Sequence, residues 1–222
     1  MPKLGRMMPP RIQGYYAILD VKGSSLDLPV LGRHAGELLA ARPCCLQLRA
    51  KNLGLAAMCE VGHVLRSLCT EHGVPLCVND RLDVALAIGA DIIHLGQGDL
   101  PLVEAVRVRA TTRAGSLAIG VSTHDLDQAR AAVAGGADHI GFGPVFPTQT
   151  KCDADPAVGL TALNEVAAAV SIPVVAIGGI TLDNVAAVAR AGAAAAAVIA
   201  AVDGAANRTH AGRAIGLAFV SA

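Results

Sequence analysis

The sequence predicts an α/β protein, a single (βα)8 TIM barrel, and three observations predict it. Short apolar runs alternate with longer segments of helical spacing, which implies a parallel sheet. The chain has 222 residues, a length at which such barrels are ordinary single domains. A weak repeat marks successive units: Gly89-Ala90-Asp91, Gly136-Ala137-Asp138 and Gly192-Ala193 each stand before an apolar run. Those glycines are placed to end a helix in a left-handed conformation before a buried strand begins. Eight such units in this length favour a closed barrel over an open doubly wound sheet.

The first strand is expected over Gly14–Leu19, after an N-terminal extension of residues 1–13. The barrel then takes residues 14–222 as one domain, with no linker of Ser/Gly/Pro character. The second strand, Cys44–Leu48, is followed by a helix over Leu53–His72. Pro75–Val78 and a helix over Asp83–Ile88 form the third unit, and Ile92–Leu95 opens the fourth. Leu117–Val121 is the fifth strand, with a helix over Leu126–Ala134. His139–Phe142 is the sixth, and a long loop runs from Gly143 to about Pro156. It is too rich in Pro, Thr and Asp to be core, and loops of that length in compact domains are often functional. Val174–Ile177 with a helix over Leu182–Arg190, and Ala195–Ile199, complete the set.

Composition narrows the function. Lys and Arg balance Asp and Glu at 18 each, so no basic field steers the chain to nucleic acid or anionic membrane. Trp is absent and only three Phe and two Tyr occur, too few rings for a base-stacking platform. The six cysteines form no C-x-x-C pair, which points to free thiols in a reducing cytosol. Residues 1–11 lack the apolar core of a signal peptide, and the apolar run 192–202 is too short to span a bilayer. A cytoplasmic location is expected.

Active sites of such barrels form at the C-terminal ends of the strands. After strand two, alternation puts Gln47, Arg49 and Lys51 on one side and Leu48 on the other. Three donors, two of them cationic, suit a polyanion such as pyrophosphate, though exposed strand-end charge would read the same way. Asp80 follows strand three and Asp99 follows strand four. Each alone reads as a helix cap; together they suit a hard cation held by two carboxylates plus substrate phosphates. Ser122 after strand five can donate to a phosphate oxygen, or Ser122 or Thr123 can cap the next helix. His124 reads as a base, a substrate contact or a packed polar residue. Thr148, Thr150 and Lys151 form a second anion-friendly cluster. Gly178-Gly179 after strand seven and the helix start after strand eight match the common barrel phosphate site.

Several motifs resemble the thiamine phosphate synthase family. They are Gln47-x-Arg49-x-Lys51, Asn79-Asp80, His94-Leu95-Gly96-Gln97-x-Asp99 and Gly120-Val121-Ser122-x-His124, then Gly141-Phe142-Gly143-Pro144-x-Phe146-Pro147-Thr148-Gln149-Thr150-Lys151 and Ile177-Gly178-Gly179-Ile180. They run in the family's order across nearly the whole barrel. The resemblance implies condensation of 4-amino-2-methyl-5-hydroxymethylpyrimidine pyrophosphate with 4-methyl-5-(2-phosphoethyl)thiazole, or its 2-carboxy form. The products are thiamine phosphate and pyrophosphate. It implies Mg2+ as cofactor, held by Asp80 and Asp99, and Ser122, Lys151, Arg49 and Lys51 as the catalytic set. Gln47, Leu48, Arg49, Ala50, Lys51, Asn79, Ser122 and Lys151 would meet the pyrimidine pyrophosphate. Thr148, Gln149, Thr150, Gly179, Ile199 and Ala200 would meet the thiazole phosphate. The chain departs from the family at Ala50, where Glu is frequent, and at Ala200, where Ser is frequent. The implied partners are two small-molecule substrates, with no nucleic acid and no membrane, and homo-oligomerisation left open. The rival readings are a thiazole tautomerase, with His124 shuttling the proton, and a non-catalytic binder of thiamine intermediates.

Overall fold

Eight parallel strands close on themselves in sequence order, each hydrogen-bonded to the next and the last to the first. The computed structural model describes residues 10–23, 27–112, 116–148 and 156–222. The chain runs β1 (Gly14–Asp20), α1 (Leu28–Ala40), β2 (Cys45–Arg49), α2 (Leu55–His72), β3 (Leu76–Asn79) and α3 (Leu82–Ile88). It continues β4 (Ile92–Leu95), α4 (Leu102–Thr111), β5 (Ala118–Thr123), α5 (Leu126–Ala134), β6 (His139–Phe142) and α6 (Gly159–Ala169). It ends with β7 (Val174–Ile177), α7 (Val185–Arg190), β8 (Ala195–Val198), α8 (Ala200–Asp203) and α9 (Arg208–Val220). The expected (βα)8 barrel is the observed one.

Strand alternation divides the apolar residues into two layers. One face, including Leu46, Leu48, Val78, Ile93, Ile119 and Phe142, packs outward against the helices. The other, including Tyr16, Ile18, Cys45, Cys77, Ile92 and Val175, fills the barrel. Small residues on neighbouring strands (Ala118, Gly120, Gly141, Ala195 and Ala197) leave room for the bulky Tyr16, His94 and His139 side chains. That is how a chain with few aromatics fills a closed barrel.

Gly89 ends α3 in a left-handed turn at φ 65°, and Gly136 and Gly192 also have positive φ, as the repeat implied. Residues 1–9 of the expected extension lie outside the described residues. Ile12 within it is buried and packs on the inner layer, so residues 10–13 close the barrel floor. A cavity of about 560 Å3 opens at that end, lined among others by Ile12, Ile92, Ala118 and Phe219. It lies at the N-terminal ends of the strands, opposite their C-terminal ends.

The described cysteines are free thiols, with Cys45, Cys69 and Cys77 buried and Cys44 and Cys59 half-buried. Burial pushes the Cys44 thiol up to about 11 and that of Cys69 to about 12, which makes both poor nucleophiles. Among the described residues no helix is long and apolar enough to cross a membrane.

Candidate active site

The polar residues converge where β1 to β5 end. β2 delivers Gln47 and Arg49 to the barrel side and Leu48 to the outer layer. Leu48 is fully buried there, so only its main chain is available to a substrate; its proposed contact cannot involve the side chain. Gln47 is nearly buried and donates from Nε2 to the Tyr16 hydroxyl at 3.1 Å. Arg49 donates to Asp20 Oδ1 at 2.5 Å, and the Asp20 side chain is almost wholly buried. Asp20 and Arg49 are register partners on β1 and β2, which is why the pair forms. Lys51 extends beyond the strand with its Nζ 3.6 Å from Asp80 Oδ2 and about half of its side chain exposed.

Asp80 and Asp99 come together across the ends of β3 and β4. A cleft of about 220 Å3 is lined by Ala50, Lys51, Asn79, Asp80, Arg81 and Asp99, with Leu53 and Met58 completing it. Neither carboxylate caps a helix. The N-cap positions of α3 and α4 are Arg81 and Pro101, and neither makes a side-chain cap bond. Asp99 Oδ2 instead accepts from the Gly96 amide at 2.6 Å, bracing its own turn. Burial, and then the facing Asp99, push the Asp80 carboxyl up to about 6, against the pull of Lys51 and Arg49. Lys51 and Arg49 offset the paired carboxylates only in part, and Asp80 and Asp99 are the groups that could hold a hard cation.

Ser122 and Thr123 part company at the end of β5. Thr123 is buried and donates to the Gly141 carbonyl at 3.0 Å, while Ser122 is half-buried with its Oγ 3.0 Å from His94 Nε2. The helix cap is Asp125, which accepts from the Gln128 amide at 2.8 Å, so neither hydroxyl is spent on capping. Gln97 donates to the Ser122 carbonyl at 2.5 Å and ties the β4 loop to β5. His124 Nδ1 lies 2.6 Å from the Gly143 carbonyl, joining the end of β5 to the start of the β6 loop.

That loop is fastened at its root. Val145 and Phe146 donate from their amides to Ile177 and Gly178 carbonyls at 2.8 and 3.1 Å. Thr148 is half-buried. Gln149, Thr150 and Lys151 lie outside the described residues. Beside the loop, Gly178 and Gly179 take φ of 97° and 61°. A Cβ at Gly179 would meet the Phe146 Cβ at 2.7 Å, so glycine is what lets β7 run under the loop. Asn184 secures the turn, accepting from the Thr181 amide at 2.8 Å and donating to the Gly179 carbonyl at 3.0 Å. Ile199 and Ala200 stand at the start of α8, whose first amides have no partner within the helix.

The family model described as thiamine monophosphate synthase matches residues 22–202. The chain belongs to the thiamine monophosphate synthase family. Its activity is accordingly that of a transferase of thiamine biosynthesis, a thiamine-phosphate synthase. A thiamine-phosphate synthase of Anaeromyxobacter dehalogenans is 51% identical over 162 residues, covering 73% of this chain and 71% of that one. One from Methanoregula boonei is 48% identical over 159 residues, covering 72% of each. The solved thiamine phosphate pyrophosphorylase of Pyrococcus furiosus superposes with a TM-score of 0.83 at 34% identity, covering 96% of this chain and 98% of that one.

Asp20, His94, Gln97 and His139, which the fold brings to or beneath these strand ends, carry no role in the sequence reading. Asp20 was legible as the carboxylate ending the first strand, but strand ends were read only from the second onward. His94 and Gln97 lie in the His94-Leu95-Gly96-Gln97-x-Asp99 segment, where spacing alone assigns them no task. His139 sat at the start of a strand and read as part of an apolar run.

Proposed function

We propose that this chain joins hydroxymethylpyrimidine pyrophosphate to a thiazole phosphate, plain or 2-carboxylated, with Mg2+ as cofactor. The observation that carries this reading is the Asp80–Asp99 carboxylate pair sharing one cleft with Lys51, with Arg49 near enough to pull on the Asp80 carboxyl. Among the described residues no cluster of three or more His, Cys, Asp or Glu side chains assembles. A cation held by two carboxylates would complete its shell with water and substrate phosphate, which is the habit of Mg2+. When bound, Mg2+ supplies neutralisation of the leaving pyrophosphate.

The protein's own residues then have distinct tasks. Arg49 is fixed by Asp20, and Lys51 reaches from beyond the strand; both present positive charge to the leaving group. Ser122 donates to a pyrophosphate oxygen, and Lys151 adds a further cation. Asn79 and Gln47 orient the pyrimidine, with the main chain of Leu48 and Ala50 beside them. Thr148, Gln149 and Thr150 meet the thiazole, and the amides of Gly179, Ile199 and Ala200 meet its phosphate. No protein nucleophile is required. The methylene C–O bond breaks, pyrophosphate leaves with the electron pair, and the thiazole nitrogen attacks the stabilised pyrimidinylmethyl cation; a 2-carboxylated thiazole also loses CO2, and the barrel holds the two rings in contact. A tautomerase would need no such cation and carboxylate set, and its proton carrier, His124, here grips the Gly143 carbonyl.

The test is direct. Purified protein, Mg2+ and both substrates should yield thiamine phosphate, read as fluorescent thiochrome after oxidation, and EDTA should abolish it. Folded protein that makes no product with either thiazole form would overturn this reading.

A further inference from the structure

Ser122 does not stand alone at the end of β5. His94 reaches it from β4 with Nε2 3.0 Å from Oγ. The ring is caged rather than merely packed. His94 pairs in register with Gly120 of β5, and Ser122 with Gly141 of β6. A Cβ on Gly120 would lie 2.6 Å from His94 Nδ1 and would overlap the His139 ring. A Cβ on Gly141 would lie 3.0 Å from His94 Cε1. Below, the His139 ring stacks at a centroid distance of 5.6 Å and 37° of tilt. Two side-chain-free positions and a second imidazole therefore form a slot that fixes the His94 ring with one nitrogen on the serine.

A serine hydroxyl has one proton and two lone pairs. If His94 took that proton, Ser122 would turn lone pairs toward an anion and repel it. If His94 donates from Nε2, the serine proton is released toward the ligand. We propose that His94 is a positioning residue that donates from Nε2 to Ser122 and so fixes the serine hydroxyl as a donor to the leaving pyrophosphate. This rests on the reading of Ser122 given above. The surroundings agree, because burial holds His139 down to about 4 and so keeps the ring beneath His94 uncharged.

Two measurements test it. Nitrogen NMR of 15N-histidine-labelled protein with Mg2+ and pyrophosphate should place the neutral His94 proton on Nε2; a proton on Nδ1 alone would overturn the proposal. In kinetics, His94→Leu should lower kcat by about tenfold and weaken product inhibition by pyrophosphate to a similar degree, the size expected for one lost hydrogen bond to a charged group. KM for the thiazole phosphate should not move. His94→Gln, which carries an amide donor to about the same distance, should recover most of the loss. In a Ser122→Ala background, His94→Leu should add nothing further. Equal losses in both backgrounds would make His94 a packing residue and sink the proposal. Wild-type turnover and pyrophosphate inhibition in Ser122→Ala would instead remove the Ser122 assignment, and the proposal with it. Should His94→Leu fail to fold, His94→Asn, whose amide ends short of the serine, takes its place with the same expectations.

Discussion

Asp80 has a φ of 66°, in the left-handed region that only short polar side chains and glycine enter readily. Asp80→Asn keeps that tolerance and the side-chain shape, so it isolates the charge, whereas Asp80→Ala would add backbone strain. Turnover at saturating substrate and Mg2+ should fall by ~10²-fold or more in Asp80→Asn, and equally in Asp99→Asn or Lys151→Ala, because each removes preorganised electrostatics. Wild-type turnover in any of them would remove that residue from the chemistry. Asp80→Asn should also raise the metal-free melting temperature at pH 7.5. A carboxyl raised to about 6 in the fold favours the folded state only below its ordinary range near 3.8, and that contribution is lost as pH climbs through 6. His139 acts oppositely. Its imidazole is held at about 4 against an ordinary 6.5, so its contribution is intact above pH 6.5 and is lost as pH falls to 4. The span corresponds to on the order of 3 kcal/mol. Urea titrations of metal-free protein between pH 4 and 7 should show a shallower acid-side loss in His139→Asn than in the parent, and parallel profiles would count against a buried neutral imidazole.

At the scale of elements, periodicity carried the reading far because a closed barrel imposes it strictly. β4, β6, β7 and α5 coincide with the segments that apolar alternation and helical spacing mark out. Boundaries shift where a side chain intercepts a backbone group or where strand pairing continues. The seventh helix was expected from Leu182, yet α7 begins at Val185, because Asn184 takes the Thr181 amide and holds residues 181–184 as a turn. β5 runs on to Thr123, since Thr123 and Ser122 still pair with Phe142 and Gly141 on β6. The site was legible as strand ends but not as contacts. Arg49–Asp20 and His94–Ser122 join different strands, and which residues face each other depends on register, which one-dimensional spacing does not carry. The glycines of β5 and β6 show the same dependence. Gly120→Ala puts a methyl into the His139 and His94 rings, and overpacking of that kind costs about 1–3 kcal/mol. Chemical denaturation should register the loss, and an unchanged midpoint would mean that the slot yields.

At the scale of the whole molecule, the barrel floor and the strand-end cleft lie at opposite ends, so binding at the cleft need not reorganise the plugged base. Ligation should therefore appear as added stability of one cooperative unit. A ligand bound only by the folded chain stabilises it by about 2.7 kcal/mol at a hundredfold excess over Kd. For a domain of this size that is a rise of roughly 5–10 °C in melting temperature. Two carboxylates alone give Mg2+ an incomplete shell, and pyrophosphate alone meets the Asp80–Asp99 charge head-on. Each should therefore bind weakly by itself and strongly with the other, so that Mg2+ and pyrophosphate together raise the melting temperature well beyond the sum of their separate effects. EDTA should erase the rise, and Asp99→Asn should lose most of it while keeping the parent's metal-free fold. Additive shifts from the two ligands would mean that they occupy independent places, and the shared cation–pyrophosphate site at the ends of β2 to β5 would have to be given up.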